Sequence, residues 1–374
     1  MQKYYLTFFI LLFTSLYSYS QDSLKAILRS ELKDSVEALP EATVSPLTVS
    51  GYLDTYYSRN NDLDHTLDRF PGVSPFKDEF RLNIAQVSFK YFKNNIRGNI
   101  TIQYGDEPDL FWTEDKKFIQ EANVGFSPAE DLWIDAGYFI THIGTESIRP
   151  IENTFSTFAM VSLFEPFPQS GVALTYSKNH FTGALFLVNG YNQIDDNNKN
   201  KSFGFSLSLK PYKNVELIFN NLTGNEIPYP EPSKVRLYNN LIFKGKFGNS
   251  WNVIINNDVC LQERSKLSDT TSVGILAGGF FSIQYRINPK FAAAFREEYF
   301  MDVDGLLSGV YTNSLGEKTG LQTLGASIAF EYNPRENAYV RLESRFLKTL
   351  KNLQIFSDGR DYRFEGSITM GIGF

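Results

Sequence analysis

Residues 362–374 read YRFEGSITMGIGF. Phe364, Ile368, Met370, Ile372 and Phe374 share one parity, and Arg363, Glu365, Ser367 and Thr369 share the other. Neighbouring residues of a β-strand point to opposite faces, so this segment is a strand with one apolar side and one polar, charged side. The same alternation recurs upstream. In AYVRLESRF (338–346), Ala338, Val340, Leu342 and Phe346 oppose Arg341, Glu343 and Arg345. In IRGNITIQY (96–104), Ile96, Ile100, Ile102 and Tyr104 oppose Arg97, Asn99, Thr101 and Gln103.

Working outward with period two gives about sixteen strands. They fall near 47–57, 79–93, 95–105, 117–127, 131–141, 169–177, 180–191, 201–210, 213–222, 234–247, 250–262, 271–285, 290–301, 320–332, 337–348 and 362–374. Short connections such as Lys93-Asn94-Asn95, SKNH (177–180), FGNS (247–250) and NPRE (333–336) alternate with long polar ones. The short ones carry Asn, Pro, Gly and Lys, residues that make tight turns. A chain that sorts tight turns to one rim and long loops to the other is an up-and-down antiparallel barrel, with its short turns toward the periplasm. The expected fold is therefore an all-β transmembrane barrel of about sixteen strands.

Aromatic residues are 15% of the chain, and many fall at predicted strand ends. Tyr56, Tyr91, Tyr104, Phe126, Tyr176, Phe247, Trp251, Tyr285 and Tyr332 are examples. That is where an amphipathic ring meets the membrane interface. An unpaired strand edge cannot be left in lipid, so the last strand must pair with the first, near Val49 to Tyr57. Met370, Ile372 and the terminal Phe374 resemble the assembly signal by which outer-membrane barrels are recognised, which implies the barrel-assembly machinery as a partner.

The other end of the chain reads differently. Lys3 followed by YYLTFFILLFTSLY and a small-residue site at Ser18-Tyr19-Ser20 predicts a signal peptide over 1–20. The next residue, Gln21, is not a lipidation cysteine. Residues 21–46 form an expected periplasmic arm, with a short helix at 22–39 where Leu24, Ile27, Leu28, Leu32 and Val36 recur at helical spacing. The barrel takes 47–374. Cys260 is the only cysteine, so no internal disulfide can form. There are 36 basic and 42 acidic residues; removing Lys3 with the signal leaves 35 against 42, formally −7. An acidic chain without a basic cluster argues against nucleic acid as a partner. The longest later apolar run, VGILAGGFFSI (273–283), is too short for a spanning helix. It is apolar on both faces, so it is expected either to meet a second copy of the chain, in a homo-oligomer, or to be a strand against lipid with small residues toward the lumen.

Candidate functional residues follow from the barrel. The loop 142–168 is the longest and mixes charge (Glu146, Arg149, Glu152, Glu165) with apolar Ile148, Phe155, Phe158, Met160 and Phe164. Such a loop is expected to fold inward and narrow the lumen. Arg97, Glu121, Arg296, Glu298, Arg341, Glu343 and Arg345 face the lumen by parity, because charge on the lipid side costs roughly 2–4 kcal/mol at mid-bilayer. With Glu146, Arg149 and Glu152 they form the expected constriction, since charged side chains lining a pore set its selectivity. Glu297 has the wrong parity, and a bulge is expected near Ala85. Asp302-Val303-Asp304-Gly305 is a fragment of a calcium loop without its downstream ligands; no metal, cofactor or catalytic residue is expected. Acidic loops, among them Asp62, Asp195 and Asp196, could bridge cations to lipopolysaccharide. Three histidines leave only His142, at the loop rim, for a hydrolase reading.

Three longer stretches carry a family resemblance: GYLDTYY (51–57), IQEANVGFSPAEDLWIDAGYF (119–139) and IGTESIRPIENTFSTFAMVSLFEPFPQSGVALTY (143–176). The last holds Gly144, Glu146, Asn153, Pro166, Gly171 and Val172. The chain resembles the OmpL-like β-barrel porin family of Bacteroidetes-type outer membranes from about residue 50 to 374. The resemblance implies an outer-membrane porin that passes small hydrophilic solutes through a water-filled lumen. The alternatives are a plugged or partner-bound barrel of structural or secretory role and, further off, an outer-membrane hydrolase.

Overall fold

A computed structural model describes residues 45–62 and 75–374. The expected signal peptide, the helix at 22–39, Asp64 and His65 lie outside the described residues. Each expected strand is present, with ends within about three residues of those expected. In chain order they are β1 (Leu47–Asn60), β2 (Phe80–Lys93), β3 (Ile96–Tyr104), β4 (Ile119–Ala129), β5 (Leu132–Ile140), β6 (Pro168–Lys178), β7 (Phe181–Val188), β8 (Ser202–Tyr212), β9 (Val215–Asn225), β10 (Val235–Phe247), β11 (Trp251–Gln262), β12 (Gly274–Asn288) and β13 (Phe291–Met301). A small hairpin of β14 (Val310–Thr312) and β15 (Lys318–Gly320) decorates one long loop; β16 (Gln322–Arg335), β17 (Ala338–Thr349) and β18 (Tyr362–Gly373) complete the wall. The hairpin was not expected, nor was the short helix α1 (Asp106–Phe111).

The wall is one closed antiparallel barrel of sixteen strands in sequence order, with β13 beside β16 and β18 beside β1. Tight turns enforce it locally. Asn94 and Asn95, the two residues between β2 and β3, both sit at left-handed φ (51° and 62°). That is the two-residue turn whose twist matches the flanking strands. The closing seam runs from Tyr52 opposite Gly373 to Asn60 opposite Glu365. Gly51 and Phe374 then exchange backbone hydrogen bonds of 2.7 and 3.0 Å. Every strand edge in the wall is thus paired, as hydrocarbon requires. Among the described residues no helix is long and apolar enough to cross a membrane.

The two faces sort as parity predicts. Leu342, Phe364, Met370 and Ile102 are exposed on the outside, while Arg341, Arg345, Arg363, Thr369 and Gln103 are buried within. Tyr56 departs from expectation. It is buried in the lumen, where its hydroxyl donates to Asp106 (2.7 Å), and so it is not part of the aromatic girdle. Glu297 does face outward and is exposed, in register with Phe281 and Ala326. The bulge lies two residues from the expected place: pairing passes from Asp54 opposite Ile84 to Thr55 opposite Leu82, and skips Asn83.

An apolar core occupies part of the lumen. Met160 and Val161 of the long loop pack with Leu222, Leu276, Phe280 and Phe300 of the wall. This explains the run at 273–283: its inner face is apolar because the loop covers it. At Gly278 a Cβ would stand 2.8 Å from a Val161 methyl, so the close approach needs glycine.

Candidate functional site

The loop between β5 and β6 decides the shape of the lumen. From β5 to β13 is eight steps in a ring of sixteen, half the circumference. Yet the loop, which holds two 3-10 turns at Pro150–Glu152 and Ser162–Phe164, reaches across to bond with β13, β17 and β18. It therefore spans the barrel from wall to wall.

Its far anchor is an ionic network built on lumen-facing strand residues. Arg296 donates to Glu146 Oε1 (3.0 Å), to the Thr157 carbonyl (2.7 Å) and to the Thr157 hydroxyl (2.9 Å). Its guanidinium also lies over the Phe155 ring, 4.7 Å from the centroid. Glu298 accepts two bonds of 2.9 Å from Arg345 and one of 2.6 Å from the Met160 amide. Glu343 accepts from the Ser156 and Thr157 amides at 2.7 and 3.2 Å. Arg341 donates to the Pro150 and Asn153 carbonyls (3.1 and 2.8 Å) and pairs with Glu331. Glu146 closes the loop on itself by accepting the Ala159 amide at 2.8 Å. Burial pushes the Glu146 carboxyl above the usual range, against the pull of Arg296. These are charge-assisted bonds, the strong kind, and they satisfy a non-helical backbone that has left solvent.

The near end is held by amides. Gly144 donates to Asn240 (3.2 Å), and Asn256 donates to Glu165 (3.3 Å). His142 stacks on Phe186 at 4.0 Å between centroids, and its Nε2–H donates to the Asn221 carbonyl (2.9 Å). Burial holds the imidazole down near 4, so it is neutral at physiological pH. Its neighbours are a ring, a carbonyl and Gln169, a structural setting rather than one that activates a nucleophile.

Apart from Glu146, the expected constriction residues thus fall into three groups. Arg296, Glu298, Arg341, Glu343 and Arg345 do face inward, but the loop lies on top of them and all are buried. Their charge is turned to the loop, which Arg296, Glu298 and Arg341 bind through Glu146 and through loop backbone. Arg97 and Glu121 stand apart on the β3–β4 wall. They line a cavity of about 430 Å³ with Lys90, Asn99, Asp135 and Phe186. Arg97 pairs with Asp135 and lies 4.2 Å from the Trp133 ring centroid, and Asn99 donates to Glu121 (2.8 Å). Arg149 and Glu152 pair with each other on the loop, both half-exposed. Sequence reading missed Asp135 and Lys90. Parity could have found Asp135, since it alternates with Ile134 and Ala136, but Trp133 and Gly137 blur that strand.

The calcium-loop fragment has another use. Asp302 accepts the amides of Leu306, Leu307 and Ser308 at 2.8 to 2.9 Å, and Asp304 accepts those of Leu267 (2.8 Å) and Ile275 (2.9 Å). Both carboxylates cap loop backbone. Among the described residues no group of three or more His, Cys, Asp or Glu side chains is placed to hold a metal ion.

Comparison with known proteins fits this geometry. The family described as "Putative beta-barrel porin-2, OmpL-like" matches residues 46–374. No curated protein is similar enough in sequence to count as a relative. Among solved structures, an anion-selective porin from Comamonas acidovorans is 8% identical with a TM-score of 0.60, covering 88% of this chain and 99% of that one. OmpT of Vibrio cholerae, in a trimer form, is 12% identical with a TM-score of 0.59 over 88% and 99%. The outer membrane channel DcaP of Acinetobacter baumannii is 13% identical with a TM-score of 0.55 over 88% and 97%. At such identities the likeness is one of fold, while the family match spans the whole barrel from its first strand to its last. The chain belongs to the OmpL-like β-barrel porins of the outer membrane.

Proposed function

We propose that this barrel is a passive diffusion channel for small hydrophilic solutes, narrowed by the loop 142–168, with its route along the β2–β7 side of the lumen. The observation that carries this reading is the placement of the loop. It is fastened to the β13–β18 wall, and the cavity opposite is lined by Arg97, Asp135, Glu121 and Lys90. Charges of both signs in that cavity favour weak ion selectivity, set by these four with Arg149 and Glu152. Nothing in this role calls for catalysis. Deleting 150–160 and recording in planar bilayers tests it: single-channel conductance should rise, and an unchanged conductance would sink the role of the loop.

A second reading draws on the apolar cluster of Met160, Val161, Phe280 and Phe300 inside the lumen. A barrel packed this way could be closed until a partner moves the loop. Ohmic steps from the unaltered protein favour the channel; silence that ends on loop deletion favours the closed barrel. Membrane lipid and lipopolysaccharide are the proposed surroundings, and Met370, Ile372 and Phe374 the proposed assembly signal. Self-association is proposed by analogy with the trimer form of OmpT.

A further inference from the structure

The bulge in β2 has a chemical consequence. By skipping Asn83 in the pairing with β1, it turns an extra side chain into the lumen beside Asp54. The loop after β3 brings a third group to the same place. Gly105, at φ 139°, passes so close to the Asn83 carbonyl that a Cβ would stand 2.4 Å from it. Two residues later Glu107 reaches Asn83, whose Nδ2 donates to Glu107 Oε2 at 3.3 Å. Asn83 also lies against the Asp54 carboxyl, and Asp54 acts electrostatically on Glu107. All three side chains are fully buried.

Each of these groups uses one end and leaves one oxygen over. Asp54 Oδ2 accepts the Tyr52 and Tyr339 hydroxyls at 2.9 and 2.5 Å. Glu107 Oε2 takes the Asn83 amide. Asp54 Oδ1, Asn83 Oδ1 and Glu107 Oε1 have no protein donor. The neighbouring guanidiniums are engaged elsewhere: Arg81 with Asp106 (2.6 and 2.7 Å) and Arg341 with Glu331 and loop carbonyls. Burial and the Asp54 charge push the Glu107 carboxyl well above its ordinary range. A proton shared between the two carboxyls would relieve that charge but leave the Asn83 oxygen unmatched. A hard divalent cation takes carboxylate and amide oxygens together, and its charge balances both carboxylates.

We propose that Asp54, Asn83 and Glu107 form a binding site for a calcium-type divalent cation inside the lumen. Bound there, the ion ties β1, the β2 bulge and the α1 loop into one unit. The Tyr52 hydroxyl, which donates to Asp54 and accepts the Ile151 amide at 3.2 Å, carries that order to the long loop.

The test uses the full chain, folded in detergent and stripped of metal with a chelator. Terbium is the probe, since Tyr52 and Tyr339 touch the proposed ligand Asp54 and can sensitise its emission. Sensitised emission should saturate at one equivalent per barrel and be displaced by calcium. It should be lost in Asp54→Asn and Glu107→Gln barrels whose heat-modifiable gel mobility shows them folded. Should either variant fail to fold, Asn83→Ala removes the neutral ligand, keeps both carboxylates and should likewise lose the emission. Calcium should raise the melting temperature of the unaltered barrel, and chelator should reverse the shift. Absence of sensitised emission in the unaltered protein, or its survival in every folded variant, overturns the site.

Discussion

The Glu146 carboxylate, carried by the loop after β5, lies 3.0 Å from the Arg296 guanidinium of β13, on the opposite wall. Both side chains are buried, and Glu298 approaches the same guanidinium at 3.7 Å. Removing one partner of a buried pair leaves the other charge without compensation, at a cost of about 3–5 kcal/mol. Arg296→Met should therefore lower the unfolding temperature and free the loop. Thermal unfolding followed by gel mobility, with conductance noise recorded on the same variant, checks this. A stable, quiet barrel would show that the network does not hold the loop.

Gly278 offers a steric test of the same contact. A side chain there meets Val161, and overpacking of this kind costs roughly 1–3 kcal/mol. Gly278→Val should push the loop off β12 and widen the passage with the ionic anchor left intact. The expected readout is a higher single-channel conductance with a modest loss of stability. Ile275, on the outer face of the same strand, is exposed, and a widened pore from Ile275→Val would contradict the argument.

Selectivity should follow the open cavity, not the buried network. Arg97 and Asp135 are partly exposed, so breaking their pair should cost under about 1 kcal/mol of stability. Arg97→Gln should shift the reversal potential in a salt gradient toward cations, and Asp135→Asn toward anions. Equal potentials in both variants would move the selectivity elsewhere.

His142 gives a pH dependence with a definite sign. Its folded value lies near 4, below the ordinary 6.5, because burial disfavours the charged ring. Its contribution is complete above the unfolded value and is lost as pH falls from 6.5 through about 4. The unaltered barrel should lose stability over that window relative to His142→Gln, while the difference stays constant above pH 7. Comparing the two cancels Glu146, whose raised value acts in the opposite direction. Parallel melting curves at all pH values would refute the role of His142.

Local periodicity carried most of the fold. Wall strands such as Ile96–Tyr104 and Ala338–Thr349 show their two faces in the bare sequence, because lipid and lumen make opposite demands on alternate residues. Turn residues such as Asn94-Asn95 declare themselves by backbone preference. Where the pattern depended on a distant partner it was less legible. Tyr56 has the sequence setting of an interface aromatic, and only its bond to the distant Asp106 places it in the lumen. The inner face of 273–283 had no explanation without Val161.

From sequence alone came the barrel, its sixteen strands, the parity of its charged residues and a closing strand ending at Phe374, since each rests on neighbours one or two positions apart. Only the tertiary structure decided that the loop 142–168 spans the lumen, that Arg296, Glu298 and Arg345 lie beneath it, and that Asn83 at the β2 bulge meets both Asp54 and Glu107. Those contacts join residues as far apart as Thr157 and Glu343. Strand alternation fixes the face of a side chain but not what will cover it.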